Sequence, residues 1–169
     1  MSEKTISSVC FTGHRDLTAE EITIINERLS SLLKRLIEHN GLEECFAGGA
    51  IGLDTIAALN VLALKSDYPQ LKLNLILPCN GQENAWNETQ KAEYDCIKLK
   101  ADNVRVLAPF FYNGCMQARN RELLKCADLC IAYLRKGTSS GGSLNTVLQA
   151  TKMRIPVINL ANKESEYIL

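Results

Sequence analysis

Glu44-Cys45-Phe46-Ala47-Gly48-Gly49-Ala50-Ile51-Gly52-Leu53-Asp54 passes from a short apolar strand through glycines straight into a helical pattern. Such a junction exposes backbone N–H groups at the positive end of a helix dipole, with no Cβ in the way. Two other apolar runs end alike, in Thr12-Gly13-His14-Arg15 and in Ser140-Gly141-Gly142-Ser143-Leu144-Asn145-Thr146. One glycine turn serves many purposes. Three at equivalent places point to one shared anion site.

Working outward, strand and helix patterns alternate along the whole chain. Ile6 to Thr12 reads as a strand, and Thr18-Ala19-Glu20-Glu21 as a capping box. Ile22, Ile25, Leu29, Leu32, Leu33, Leu36 and Ile37 follow at helical spacing until Asn40-Gly41. Glu44 to Ala47 is the second strand. The helix after it, from Ile56 to Leu64, is apolar nearly all round and is expected to be buried. Leu71 to Leu77 is a third strand, stopped by Pro78, and the charge pattern predicts a helix from about Asn84 to Lys100. Val104 to Ala108, Leu129 to Leu134 and Val157 to Leu160 complete the strands. Helices follow the Tyr112-Asn113-Gly114 loop and the third glycine turn. Helices between continuous apolar strands predict one α/β domain over residues 1–169, with a mostly parallel sheet between helix layers. Right-handed crossovers then gather all three glycine turns on the carboxyl rim of the sheet.

Composition narrows the function. Nineteen basic residues balance nineteen acidic ones, which argues against a general nucleic-acid or membrane surface. No apolar stretch reaches the roughly 20 residues of a membrane span, and the start of the chain does not read as a signal peptide. A cytoplasmic protein is expected. Of the seven cysteines, Cys10, Cys79 and Cys130 fall in or at the end of strand patterns and Cys126 on a helical apolar face. They read as reduced, small hydrophobes. With no C-x-x-C and only His14 and His39, no metal site is expected, and no cofactor is implied.

Neither the G-x-G-x-x-G nor the G-x-x-x-x-G-K-[ST] fingerprint is present. Thr12, Gly13, His14 and Arg15 supply a hydroxyl, bare backbone and a guanidinium within one turn, a set suited to phosphate or ribose. Gly48, Gly49, Ala50 and Gly52 form a turn small enough for a ligand to lie on the backbone. Asp54 either caps the helix that follows or contacts a ribose or base. Gly141, Gly142, Ser143 and Thr146 repeat the arrangement. Arg119 and Asn120 open a helix at the same rim. Trp86 packs in the core or stacks on a base.

Taken in order, Thr-Gly-His-Arg, Gly-Gly-Ala-Ile-Gly-Leu-Asp, Gln82…Trp86, Arg119-Asn120 and Ser-Gly-Gly-Ser resemble the SLOG superfamily, which joins Smf/DprA proteins with the LOG phosphoribohydrolases. The chain is most similar to the compact YspA/YpsA-like branch. The resemblance implies a Rossmann-like fold, bacterial or phage provenance, and binding of a nucleotide or NAD/ADP-ribose-derived molecule for sensing or sequestration. It implies ligand contacts at Gly13, Arg15, Gly48, Gly49, Gly52, Asp54, Gly141, Gly142 and Ser143. Related domains dimerise, and largely apolar helices leave room for a homo-oligomer here. The LOG motif Pro-Gly-Gly-x-Gly-Thr-x-x-Glu has Leu148 in place of its catalytic acid. An N-glycoside hydrolase, the alternative, would need another carboxylate: Asp54 or Glu122, with Glu88 and Asp16 behind them. Single-strand DNA binding of the DprA kind is disfavoured by zero net charge and few aromatics.

Overall fold

The computed structural model describes residues 4–167. Strands β1 (Ser8–Gly13), β2 (Glu44–Ala47), β3 (Lys72–Leu77), β4 (Asn103–Val106), β5 (Leu129–Tyr133) and β6 (Val157–Asn159) alternate with five helices. These are α1 (Ala19–Arg35), α2 (Leu53–Leu64), α3 (Glu88–Lys100), α4 (Cys115–Lys125) and α5 (Gly142–Lys152). The strands form one sheet in the order β4-β3-β2-β1-β5-β6, with every neighbouring pair parallel. The architecture is a single Rossmann-like α/β domain.

The alternation of side chains along β1 sorts the two cores. Val9 and Phe11 join the larger core with α1, α2 and α3, while Cys10 points into a smaller one under α4 and α5. In α1, Ile25, Leu29, Leu32 and Leu33 are buried, each contributing about 1.5–3 kcal/mol. Its start is fixed as the sequence predicts: Thr18 Oγ1 accepts the Glu21 N–H at 3.1 Å, and Glu21 Oε1 accepts the Thr18 N–H at 3.0 Å. A π turn at Leu36–Asn40 ends at left-handed Gly41. Five cysteines are buried, Cys126 is half-buried and Cys96 is exposed.

Two expectations need correction. The third helix starts at Glu88, not near Asn84, because Asn87 and Gln90 form a second capping box, with bonds of 2.8 and 3.1 Å. The residues before it, including Glu83, make a turn. The second helix is buried on one face only; Leu59 is 40% exposed, and Leu62 and Ala63 border a groove beside α3. An apolar circumference does not by itself supply a neighbour for every face.

Strand order reverses between β1 and β5, which are neighbours. At such a switch the loops leaving the two strands diverge to opposite faces and open a crevice at the carboxyl edge. The first and third glycine turns flank that crevice.

Candidate functional site

A cleft of about 290 Å³ occupies the crevice. It brings together eleven of the residues singled out in the sequence: Thr12, Gly13, His14, Arg15, Ala50, Asp54, Arg119, Asn120, Gly141, Gly142 and Ser143. Phe11, Met116, Thr138, Ser140 and Leu144 also line it. Ser140 and Leu144 belong to the third turn as quoted, and Thr138 shortly precedes it. Nothing in the sequence signals Met116.

Gly48, Gly49, Gly52, Trp86 and Thr146 lie outside this lining. Trp86 packs edge-on against Tyr94, ring centres 5.2 Å apart, at the border of the larger core. The buried Thr146 donates its hydroxyl proton to Gly142 O at 2.9 Å and borders a second depression. Of the four acids considered, only Asp54 lines the cleft. Glu122 is held by Arg105 and Lys125, each at 2.9 Å. Glu88 sits 3.7 Å from Lys91 with its side chain 94% exposed, and Asp16 pairs with Arg135.

The helix ends around the cleft differ from the rest. α1 and α3 begin with capping boxes, whereas α2, α4 and α5 begin at Gly52, Gly114 and Gly141 with no side-chain cap. Those three uncapped helices are the ones that supply residues to the cleft. In α5 the first N–H with an intrahelical acceptor is that of Asn145, bonded to Gly141 O at 3.0 Å. The N–H groups of Gly142, Ser143 and Leu144 have no acceptor among the described residues. They are unpaired donors at a positive dipole end.

Two guanidiniums add full charge. Arg119 is 3% exposed; its Nη1 donates to Gly48 O and its Nε to Asn120 Oδ1 at 2.8 Å. The Nη2 atoms of Arg15 and Arg119 both sit 4.0 Å from the Met116 sulfur, a weak acceptor. Asp54, 7% exposed, accepts the Ala50 N–H at 3.2 Å. No ion pair engages Arg15, Arg119 or Asp54 among the described residues. Burial therefore pushes the Asp54 carboxyl above the usual range, against the pull of Arg119, the Ala50 N–H and Arg15. Burial lowers Arg119 in turn, against the pull of Asp54. An anion placed beside Arg119 would add a close counter-charge to the more distant one of Asp54.

His14 accepts the Arg135 backbone N–H on Nε2 at 3.0 Å, so the neutral ring carries its proton on Nδ1. The Arg135 side chain grips Glu21 with two bonds of 2.8 and 2.9 Å, which hold the Glu21 carboxyl down at about 2. The network fastens the loop carrying the third turn to the start of α1. Among the described residues no group of three or more His, Cys, Asp or Glu is placed to hold a metal ion. Among the described residues no helix is long and apolar enough to cross a membrane.

Comparison with known proteins gives a consistent picture. Residues 9–155 match the model of the YspA SLOG family. A UPF0398 protein of Staphylococcus saprophyticus is 35% identical over 116 residues, covering 64% of this chain and 61% of its own length. A UPF0398 protein of Oenococcus oeni is 30% identical over 110 residues, covering 64% and 58%. One from Bacillus velezensis is 29% identical over 135 residues, covering 80% and 74%. The chain spans about three-fifths of the length of the first two relatives.

Proposed function

The chain belongs to the YspA SLOG family, and from that premise we propose that its cleft binds a nucleotide or an NAD- or ADP-ribose-derived small molecule. The observation that carries this is the meeting, on one crevice, of the uncapped N-terminus of α5, side chains from the first turns of α2 and α4, and two guanidiniums with no ion-paired carboxylate among the described residues. Phosphate oxygens would take the N–H groups of Gly142, Ser143 and Leu144 on one side. Arg119, fixed by Gly48 and Asn120, and the exposed Arg15 would close on the other side. Asp54 and Asn120 would meet ribose hydroxyls. Residues 1–169 would act as one binding unit, alone or in a homo-oligomer. A site rich in donors, whose only acid among those weighed is already bonded to backbone, supports sensing or sequestration.

Thermal unfolding with AMP, ADP, ADP-ribose, cyclic ADP-ribose and NAD tests this. A ligand at 100 times its Kd stabilises the fold by about 2.7 kcal/mol. Silence across that panel would overturn the reading.

One observation favours a second reading, an N-glycoside hydrolase. Asp54 is a carboxylate in the cleft, and burial raises its pKa as an acid catalyst requires. Chromatography of bound nucleotides after long incubation decides it: released base supports hydrolysis, and intact ligand removes it.

A further inference from the structure

A second depression, of about 140 Å³, lies between α4 and α5. Asn120 and Gly142 stand on the walls of both hollows, so the two meet at that saddle. The second hollow is unusual in its chemistry. α4 contributes the carboxamides of Gln117 and Asn120 beside the Arg121 side chain, and α5 those of Asn145 and Gln149. Its deepest residues, Leu124 and Thr146, are 1% and 4% exposed. The side chains of Gln117, Asn145 and Gln149 form no hydrogen bond among the described residues. Asn120 commits only its Oδ1, to Arg119 at 2.8 Å, and keeps both amide N–H groups.

A carboxamide presents a donor and an acceptor side by side, which is the pattern along the edge of a nucleobase. Size agrees with that chemistry. The main cleft alone lies at the bottom of the ~300–1,000 Å³ range of small-molecule sites, and the joined hollows fall within it. Volume by itself would have selected the α2–α3 groove, about 420 Å³. That groove is lined by Leu59, Leu62, Ile97 and lysine stems and shares no residue with the cleft.

Gly142 supplies an independent argument. A Cβ built there meets nothing within 4 Å, so packing does not require glycine at this position. The bare backbone leaves the saddle between the two hollows open.

We infer that the α4–α5 depression is a nucleobase subsite. Phosphate lies in the main cleft, ribose crosses the Asn120–Gly142 saddle, and the base sits over Leu124 among Gln117, Asn145 and Gln149. The inference rests on the nucleotide reading above and adds where the base is read.

Calorimetric titration of the wild type and of the Asn145→Ala/Gln149→Ala double variant tests it. The probes are AMP, GMP, CMP, UMP and ADP-ribose, beside ribose 5-phosphate, which keeps sugar and phosphate but lacks the base. Circular dichroism checks that the double variant is folded; neither side chain makes a hydrogen bond that the fold would lose. The expected result is a loss of about tenfold or more for the tightest base-bearing probe, with ribose 5-phosphate unchanged. Equal losses for both probes, or no loss for either, would overturn the subsite alone. If no probe binds the wild type, the nucleotide reading falls and the subsite falls with it.

Discussion

From Gly48 to Gly52 the chain is pressed against protein, whereas at Gly141 and Gly142 it is bare. A Cβ on Gly48 would lie 2.6 Å from Arg119 Cζ, and one on Gly49 2.7 Å from Leu77 Cδ2. One on Gly52 would lie 2.5 Å from the Arg15 Cα. At Gly141 and Gly142 it would meet nothing within 4 Å. Both turns end a parallel strand and begin a helix, so their sequences look equivalent. Their glycines serve opposite purposes. The turn after β2 is thin so that protein can approach: it lets the first turn cross beneath α2 and lets Arg119 reach Gly48 O. The turn after β5 is thin toward the cleft. One builds the site and the other faces whatever enters it.

The sharpest way to break this contrast is to add the same small group to each turn. Gly52→Ala puts a methyl against the first turn's backbone at φ +82, a conformation that side chains rarely adopt. It should cost about 3 kcal/mol or more and lower Tm by roughly 6–12 °C in a thermal melt. A variant that melts within about 2 °C of wild type would mean that the packed turn is not packed. Gly142→Val should do the reverse. Valine at the first helical position costs under about 1 kcal/mol, so Tm barely moves. Its branched side chain fills the saddle and nucleotide binding is lost. Unchanged affinity would remove the third turn from the site.

The two arginines extend the contrast from backbone to charge. Arg119 belongs to the packed region: Arg119→Ala leaves the Gly48 carbonyl with only the longer hydrogen bond from the Gln82 amide, at 3.3 Å, and empties a buried volume, so stability and binding should fall together. Arg15 is exposed, and among the described residues its guanidinium has no hydrogen-bond partner besides the Met116 sulfur at 4.0 Å. Arg15→Ala should leave Tm in place and weaken a phosphate-bearing ligand by roughly tenfold, less at high salt. If both variants lose stability alike, Arg15 is structural and the cleft has one cation fewer than proposed.

The sequence carried the architecture further than it carried the site. Strand and helix order, the Thr18 capping box and the gathering of turns at one rim follow from periodicity and topology, which are local or generic. The purpose of each glycine does not. Whether an absent Cβ faces solvent or protein depends on partners far along the chain: Arg119 is 71 residues from Gly48. Leu59 shows the same limit, since an apolar helix face does not announce whether a neighbour will cover it. Met116 and Arg135 gave no sequence signal, because their roles come entirely from what the fold sets beside them.

Arg135 offers the finest test, because its network ties the bare turn's loop to the start of α1. Glu21 is an acid whose folded pKa, about 2, lies below its ordinary value of 4.5. Its contribution to stability is therefore fully present above about pH 4.5 and is lost as pH falls toward about 2. Asp54 has the opposite sign: its pKa is raised, so its burial penalty applies at high pH and is relieved in acid. Glu21→Gln should thus lower stability by on the order of 1–3 kcal/mol at neutral pH, and the gap from wild type should close near pH 2. Asp54→Asn should show a gap that changes in the other direction. Hydrogen exchange then separates the regions. With Glu21→Gln, amides from 136 to 141 should lose protection while those from 48 to 52 keep theirs, since only the former hang from Arg135. Equal loosening of both turns would mean that the packed turn and the bare one open as a single unit, and the division of labour between them would not hold.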